Sequence, residues 1–487
     1  MQLPILQVII PLLSAVFCFL LKKHKALWLV SVAAALTSLV ISLSLLIKVY
    51  KGGIISYNLG DFMPPYGIEL KIDLLSSLFL TLINSIALIS LLFGFYINEE
   101  EIGKSKLSGI YSLFLLCLSG LLGILVTNDL FNIYVFLEIS SLASYVLVSV
   151  SKEKKALTAA FEYLISGTVG ATFYLLGIGF LYSMTGTLNI SDMSQRIMPL
   201  YSNKIIQLGC LFIFIGLSIK IALFPLSRWL VNSYNYAPSF VSTFFSGTVT
   251  KVMIYLLIRV IYFLFDKKSF LFEYPFNYLI TSLALLAIVF GAIFAITARS
   301  IKEVLAHSSV SQIGYIILGL SLNSKTGLFA AILHIVNHSI IKSSLFMTAG
   351  YLTYQCDVTK IEDLSGIRRL VPYVIAVFTL LSLALIGIPL TNGFVSKWYM
   401  MQALIESHSW SSFVIYALGS FLSLVYIWRV IEKVYFTDNE QICLVRKDKT
   451  SILLYLFFMA AMIIILGIFS HPLQLIADKI CLSIFDE

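Results

Sequence analysis

Apolar residues in this chain fall in long unbroken runs, not in the alternation of a half-buried strand or the one-sided stripe of a soluble helix. Fourteen runs approach or exceed the roughly 20 mostly apolar residues that a bilayer-spanning helix needs. They lie near 4–21, 27–49, 72–97, 107–126, 129–150, 156–183 and 205–231, then near 238–265, 272–298, 304–322, 326–354, 372–405, 411–437 and 451–469. They are numbered here as spans 1 to 14. The longest polar stretches between them are about twenty residues, near 50–71 and 184–204, too short for a soluble domain. The pattern predicts an all-α polytopic membrane protein.

Composition supports lipid as the solvent. The 487 residues are 59% hydrophobic and only 12% charged, against about 25% charged in ordinary soluble domains. The net charge of +8 would otherwise suggest nucleic acid, but loop asymmetry accounts for it. One set of alternate loops carries seventeen basic residues, among them Lys22, Lys104, Lys152, Arg228, Arg299, Lys302, Arg368, Arg446, Lys447 and Lys449. The other set carries nine, including Lys48, Lys71, Arg196, Lys267, Lys268 and Lys479. The richer side is expected in the cytoplasm, with both termini outside, and no nucleic-acid partner is expected. Cys18, Cys117, Cys210, Cys356, Cys443 and Cys481 fall singly, as packing residues do, and frame neither disulfides nor a metal site. The first run is followed by basic Lys22-Lys23-His24-Lys25 without a cleavage site, so it reads as a retained span.

Against that background the charges inside spans stand out. Glu138 lies near the middle of span 5, Lys220 in span 7, Lys251 halfway along span 8 and Lys397 in span 12. A charged group at the bilayer centre costs about 2.5–3.5 kcal/mol on insertion scales and commonly marks a pathway. Arg429 and Lys433, nearer the end of their span, can snorkel. A static Glu138–Lys220 pair would serve packing alone; four charges on four helices favour conduction. Burial and a neighbouring carboxylate pull on a lysine's proton in opposite senses, so a lysine held between them can load and release it.

Span 11 places His334, His338 and Lys342 at successive i+4 steps, on one helical stripe. Histidine titrates nearest neutral pH, which suits a relay; packing histidines and a metal pair are the alternatives. A metal needs a third ligand, and neither an Asp, a Cys nor an HExxH context accompanies the two. His307, near the cytoplasmic start of span 10 among Ser308, Ser309, Ser311 and Gln312, sits in a polar cluster that either admits water or caps the helix. Glu162, early in span 6 near Lys154 and Lys155, is a candidate for proton uptake with His307. Arg259 reads as an exit group or a structural anchor. No haem, iron–sulfur or nucleotide motif is visible, and no cofactor is expected.

Two segments look related. Gly216 to Trp229 and Gly387 to Trp398 each hold a proline, a lysine and a closing tryptophan, five spans apart. Internal repeats with discontinuous helices mark ion sites in many transporters. A proline within a span frees backbone groups, tolerated only where they are buried or line a cavity. Chance similarity between apolar helices is the other reading.

Three motifs carry a more specific resemblance. The runs Lys302-Glu-Val-Leu-Ala-His-Ser-Ser-Val-Ser-Gln-Ile-Gly-Tyr315, Leu333-His334-Ile-Val-Asn-His338-Ser-Ile-Ile-Lys342 and Gly393-Phe-Val-Ser-Lys397 resemble the proton-conducting antiporter-like subunits. Those occur in respiratory complex I, membrane-bound hydrogenases and Mrp-type cation/proton antiporters. The resemblance implies a fourteen-helix fold with two inverted five-helix repeats, each with a broken helix, in spans 7 and 12. The divisions would be 1–106 for three N-terminal spans, 107–265 and 272–437 for the repeats, and 451–487 for the last span and a short tail. It matches Glu138 to the family's fifth-span glutamate, Lys220 to its seventh-span lysine and Lys251 to the central eighth-span lysine. His334, His338 and Lys342 match the linking residues of span 11, and Lys397 the terminal residue of span 12, of a polar axis along the membrane plane.

Within the family, the chain ends soon after span 14, without room for the long lateral helix or added domain of the largest members. The stretch Asn128 to Tyr145 is most similar to the D-type member of Mrp antiporters, and Lys397 agrees. His307 departs, where many relatives have tyrosine. The expected function is a subunit of a multisubunit Na+/proton antiporter in the bacterial inner membrane, partnered by other membrane subunits. It is not itself an enzyme and needs no cofactor. The alternative is a proton-pumping subunit of complex I or a membrane-bound hydrogenase. A standalone solute transporter would need a roomy polar cavity at the midplane, whereas these groups are strung along a line of helices.

Overall fold

Lipid cannot hydrogen-bond a peptide group, so a chain crossing it must satisfy its backbone internally, and helices do so within one segment. The computed structural model describes residues 2–266, 269–273, 275–437 and 450–485. Lys267, Lys268, Cys443, Arg446, Lys447 and Lys449 lie outside the described residues. Thirteen described helices are long and apolar enough to cross a membrane. Spans 1–6 are Leu3–Leu20, His24–Gly52, Leu74–Glu101, Lys104–Val126, Leu130–Ser149 and Lys154–Thr185. Spans 7–11 are Lys204–Ile221, Ser239–Leu264, Phe276–Thr297, Ile301–Ser321 and Lys325–Cys356, and spans 13 and 14 are Trp410–Phe436 and Ser451–Ile468. Span 12 is split into Pro372–Ile386 and Asn392–Glu406, each too short alone. The chain is a multi-pass membrane protein.

Burial sorts the spans by polarity. In spans 8, 10 and 11 about nine-tenths of the apolar window is buried within the protein, against about a third in spans 1, 2 and 13. The three central helices hold Lys251, Ser308, Gln312, His334, His338 and Lys342, groups that lipid cannot solvate; the outer helices present Phe17, Phe161 and Val414 to it.

Three spans are interrupted. Span 7 stops at Ile221, where Ala222 turns left-handed (φ 61°), and resumes as Arg228–Tyr236 beyond Pro225. Span 12 stops at Gly387 (φ 93°), passes Pro389 and Leu390 (φ 74°), and resumes at Asn392. Both interruptions follow the prolines seen in the sequence. The third does not: span 8 kinks at Thr248 (φ −123°, ψ −64°), between helices Ser239–Gly247 and Val249–Ile258, with no proline to announce it.

The two longer loops are ordered. The first, 50–71, carries the antiparallel hairpin β1 (Ile55–Asn58) and β2 (Glu69–Ile72), which runs one residue past it, and 184–204 contain the helix Ile190–Ile197. Glu69 ties them together, accepting from Asn128 Nδ2 at 2.8 Å and Asn189 Nδ2 at 2.9 Å. Burial alone would raise the Glu69 carboxyl, but those amides and nearby Lys71 hold it below its usual value. On the opposite face, a cavity of about 520 Å³ is lined by Glu99, Glu101, Lys152, Lys302 and Asp357, which places loops assigned to the cytoplasm on one side. Beyond span 14, His471–Phe485 forms a further helix packed on spans 3 and 11, more than the short tail expected.

Arg259 is an anchor. Asp73 caps span 3, accepting from Ser76 N at 2.8 Å, and both its carboxylate oxygens meet the Arg259 guanidinium, at 2.5 and 2.7 Å. Arg259 also donates to Tyr255 Oη at 2.8 Å. Removing one partner of a buried pair strands the other and costs about 3–5 kcal/mol. Asp73→Ala should therefore lower the melting temperature of the detergent-solubilised protein, and Asp73→Leu with Arg259→Met should restore much of it. An unchanged melting temperature in the single variant would remove the anchoring role.

Candidate functional site

Span 5 starts at Asp129, whose carboxylate accepts from Asn132 N at 2.8 Å. From there the i, i+3, i+7 spacing puts Glu138, Ser141 and Tyr145 on one face. Lys220 lies opposite, in the last turn before the break in span 7, where the helix's negative end favours a cation. Its Nζ donates to Ser141 Oγ at 2.8 Å and to Tyr145 Oη at 3.5 Å, and stands 4.0 Å from Glu138 Oε1. That exceeds the roughly 2.7–2.9 Å of a tight charge-assisted bond. The lysine is 4% exposed and the glutamate 26%, but the Glu138 Oε1 that faces the amine is itself buried, with no hydrogen-bond partner among the described residues. Trp229, on the second half of span 7, donates Nε1 at 2.8 Å to the Ile219 carbonyl at the break, which also takes the Ala222 N–H at 3.1 Å.

Lys251 sits just past the kink in span 8. Its Nζ bonds the Ser246 carbonyl that the kink frees and lies 3.4 Å from Thr250 Oγ1, while Ser339 Oγ takes the Gly247 carbonyl. A buried ammonium needs several acceptors, and a broken helix supplies carbonyls where an intact one has none to spare. The same solution recurs in span 12. Lys397 Nζ donates to the freed Ile386 carbonyl at 2.8 Å and lies 5.3 Å over the Tyr315 ring. Gly387 is required there twice over. Its φ is positive, and a Cβ would stand 2.8 Å from Lys397 Cδ.

The span 11 stripe joins these positions. The rings of His334 and His338 are parallel within 3°, with centroids 6.0 Å apart. His334 is held at both nitrogens, Nδ1 3.0 Å from Ser396 Oγ and Nε2 2.9 Å from Gln312 Oε1. Neither nitrogen of His338 has a hydrogen-bond partner among the described residues, although it is 1% exposed. Buried polar groups are rarely left so. Lys342 donates to the Leu305 carbonyl at 2.8 Å and to Ser308 Oγ. The Tyr315 ring stands between Lys397 and His334, 5.3 Å from the amine and 6.0 Å from the imidazole centroid, and Ser339 ties the stripe's helix to the kink beside Lys251. The predicted residues thus gather into the Glu138–Lys220 pair and a larger group running Lys251, His338, Lys342, His334, Lys397.

The two uptake candidates stand elsewhere. His307 packs its ring against Phe294 of span 9, centroids 5.6 Å apart. Its neighbours Ser308 and Gln312, read in sequence as part of a cluster that either admits water or caps the helix, turn inward to Lys342 and His334. Glu162 takes Arg228 at 3.4 Å and the Asn232 amide, joining span 6 to the second half of span 7. Sequence reasoning missed Ser141 and Tyr145, which helical spacing from Glu138 could have flagged. It also gave no role to Ser396 and Tyr315, although both lie within the motifs that carry the resemblance. Among the described residues no three His, Cys, Asp or Glu side chains converge as metal ligands. A cavity of about 880 Å³ between spans 3, 11 and 14, lined by Leu78, Leu82, Ile340 and Phe457, is apolar and apart from these groups.

The geometry can be set beside known proteins. The chain is 38% identical, over 90% of its length and 88% of the relative's, to NADH-quinone oxidoreductase subunit N of Desulforudis audaxviator. It is 31% identical, over 90% of its length and 86% of the relative's, to the putative antiporter subunit mnhD2 of Staphylococcus haemolyticus. Among solved structures, a chain of the membrane-bound sulfane sulfur reductase, an archaeal respiratory membrane complex, superposes with a TM-score of 0.91. That match has 29% identity and covers 99% of this chain and 98% of that one. The family model described as NADH:quinone oxidoreductase/Mrp antiporter, TM, matches residues 127–425, the stretch that holds every buried charge of the two groups. The chain therefore belongs to the NADH:quinone oxidoreductase/Mrp antiporter membrane family.

Proposed function

We propose that this chain is the D-type member of a multisubunit monovalent cation/proton antiporter and carries its proton path. The observation behind this is the series of enclosed amines and imidazoles, Lys220, Lys251, His338, Lys342, His334 and Lys397, with Glu138 at one end. Each amine is held by hydroxyls or carbonyls, and only Lys220 has a carboxylate near it, Glu138 at 4.0 Å, so the others can give up a proton without stranding a counter-charge while Lys220 answers to the charge on Glu138. When the Glu138 charge is neutralised or moves away, Lys220 loses its attraction and passes a proton inward. A charge arriving on Lys251 then repels those near it and drives the next transfer along span 11. His307 and Glu162 are proposed as uptake groups, Glu162 through its contacts at the second half of span 7. The second ion, Na+ or another monovalent cation, is assigned to a partner subunit.

The division into two inverted units, 107–265 and 272–437, is part of this reading. It is supported by the proline-linked breaks in the fourth helix of each unit, with a lysine beside each break. Residues 1–106 and 451–487 flank them. The bacterial relatives support placement in a bacterial inner membrane, and the subunit itself catalyses no reaction.

A second reading is a proton-pumping subunit of a respiratory complex, favoured by the 38% identity to a NADH-quinone oxidoreductase subunit. Tagged purification from native membranes followed by vesicle reconstitution separates the two. The antiporter reading expects small multi-pass partners and proton flux triggered by a Na+ or K+ pulse without NADH or quinone. Co-purified redox subunits, with flux only on addition of a redox substrate, would establish the second.

A further inference from the structure

Spans 3, 11 and 14 diverge around the apolar cavity of about 880 Å³, which the proton path leaves unused. Span 3 supplies one wall through Leu78, Leu82 and Ile86, and span 11 another through Val336 and Ile340. Span 14 closes it only loosely, because Leu454, Phe457 and Phe458 line the cavity and remain exposed. All these positions lie within membrane-spanning helices, so the cleft opens to hydrocarbon and not to water. Its chemistry excludes a polar guest. Three hydroxyls line it, those of Thr81, Ser85 and Tyr455, and among the described residues no charged side chain does. Thr81 Oγ1 donates to the Ser77 carbonyl at 2.9 Å and Ser85 Oγ to the Thr81 carbonyl at 2.7 Å, while the Tyr455 phenol meets Tyr96. A polar ring or headgroup entering here would leave water's hydrogen bonds and gain none.

Its size excludes a helix. The lining runs from Leu78 to Leu92 along span 3, about 21 Å at about 1.5 Å per residue. A volume of about 880 Å³ over that length averages about 42 Å² in section, or about 7 Å across, against about 10–12 Å for a helix with its side chains. Flexible hydrocarbon chains fit that width and need no hydrogen bond. An apolar cavity far smaller, of about 150 Å³, already takes up an apolar guest. The cleft also adjoins the helices of the buried charges. Ile86 is 2% exposed, with one side on the cleft and the other on the kink of span 8, where a Cβ at Gly247 would stand 2.8 Å from Ile86 Cγ2. Ile340 follows Ser339, whose hydroxyl takes the Gly247 carbonyl. Whatever fills the cleft therefore backs the kinked helix that carries Lys251.

We propose that this cleft is a binding site for a membrane phospholipid, whose acyl chains lie between spans 3, 11 and 14 behind the kink of span 8. The site goes beyond the proton-path reading and stands whichever complex the chain serves.

The test uses the complete complex in vesicles that contain a phosphatidylcholine with a photoreactive diazirine on one acyl chain. Solubilising in detergent before irradiation dilutes loosely held lipid and leaves seated chains in place. Peptides holding the lining at 78–89 and 454–462 should carry about tenfold more label than those holding Phe17 and Val414, which are exposed on spans 1 and 13. Ser85→Phe places a ring in the cleft and should lower that label about tenfold, with unchanged complex yield and melting temperature. Should it fail to assemble, Ala461→Phe fills the cleft from span 14, and the same loss is expected. In native membranes, Phe457→benzoylphenylalanine should form a lipid adduct on irradiation. Even labelling of all these peptides, label undiminished in a filling variant that assembles, or a cross-link from position 457 to another subunit would overturn the site.

Discussion

Lys220→Ala is expected to abolish cation-dependent proton exchange in vesicles while the complex still assembles. Among the described residues, the amine is the only cation within 4.0 Å of Glu138, and Ser141 and Tyr145 hold it there. Its removal leaves a carboxylate facing two neutral hydroxyls, with no group able to take a proton at the head of the path. Glu138→Ala should be as severe, because the remaining lysine then has no partner whose charge can change. Assembly should survive in both, since neither side chain caps a helix and the Asp73–Arg259 anchor lies elsewhere. The reading is an exchange rate at background, a drop of at least about tenfold; a rate near wild type in either variant would show the pair to be packing.

Lys251→Arg should be nearly as damaging, although it preserves the charge. Lys251 is 1% exposed and ends on the Ser246 carbonyl, with Thr250 alongside. A guanidinium does not release its proton at useful pH, and its fork is broader than an ammonium. If Lys251 must alternate between charged and neutral, arginine blocks every cycle, and Lys251→Ala should be no worse. If the position supplies only a fixed positive field, arginine should retain most of the flux while alanine loses it. Comparing the two variants in one vesicle preparation therefore reports on proton release and not on charge.

The repeated association of lysines with broken helices has a common cause. Lys251 and Lys397 each take a carbonyl that a kink or break frees, and Lys220 occupies the negative end of one. Without water, an ammonium needs acceptors, and an intact helix has already used its own. Interrupting the helix solvates the charge and orients it at once.

Much was legible before any coordinates. Span number, the enclosed charges, the breaks at Pro225 and Pro389 and the His334–His338–Lys342 stripe follow from local properties: run length, side-chain chemistry and helical period. Lipid strengthens each of these, because it drives polar groups inward and forbids unpaired backbone. What local properties could not supply is which neighbour each inward group meets. Spans apolar nearly all round have no polar face to announce their rotation. So the turning of His307 toward Phe294, and of Ser308 and Gln312 toward span 11, had to come from packing. The Asp73–Arg259 pair joins residues 186 positions apart, and Ser396 reaches His334 across two spans' packing. The kink at Thr248 carries no proline, and Lys251 and Ser339 take the carbonyls it releases. Helix identity was thus a matter of sequence and solvent, whereas the connections between helices, on which any proton route depends, were decided only when the spans packed together.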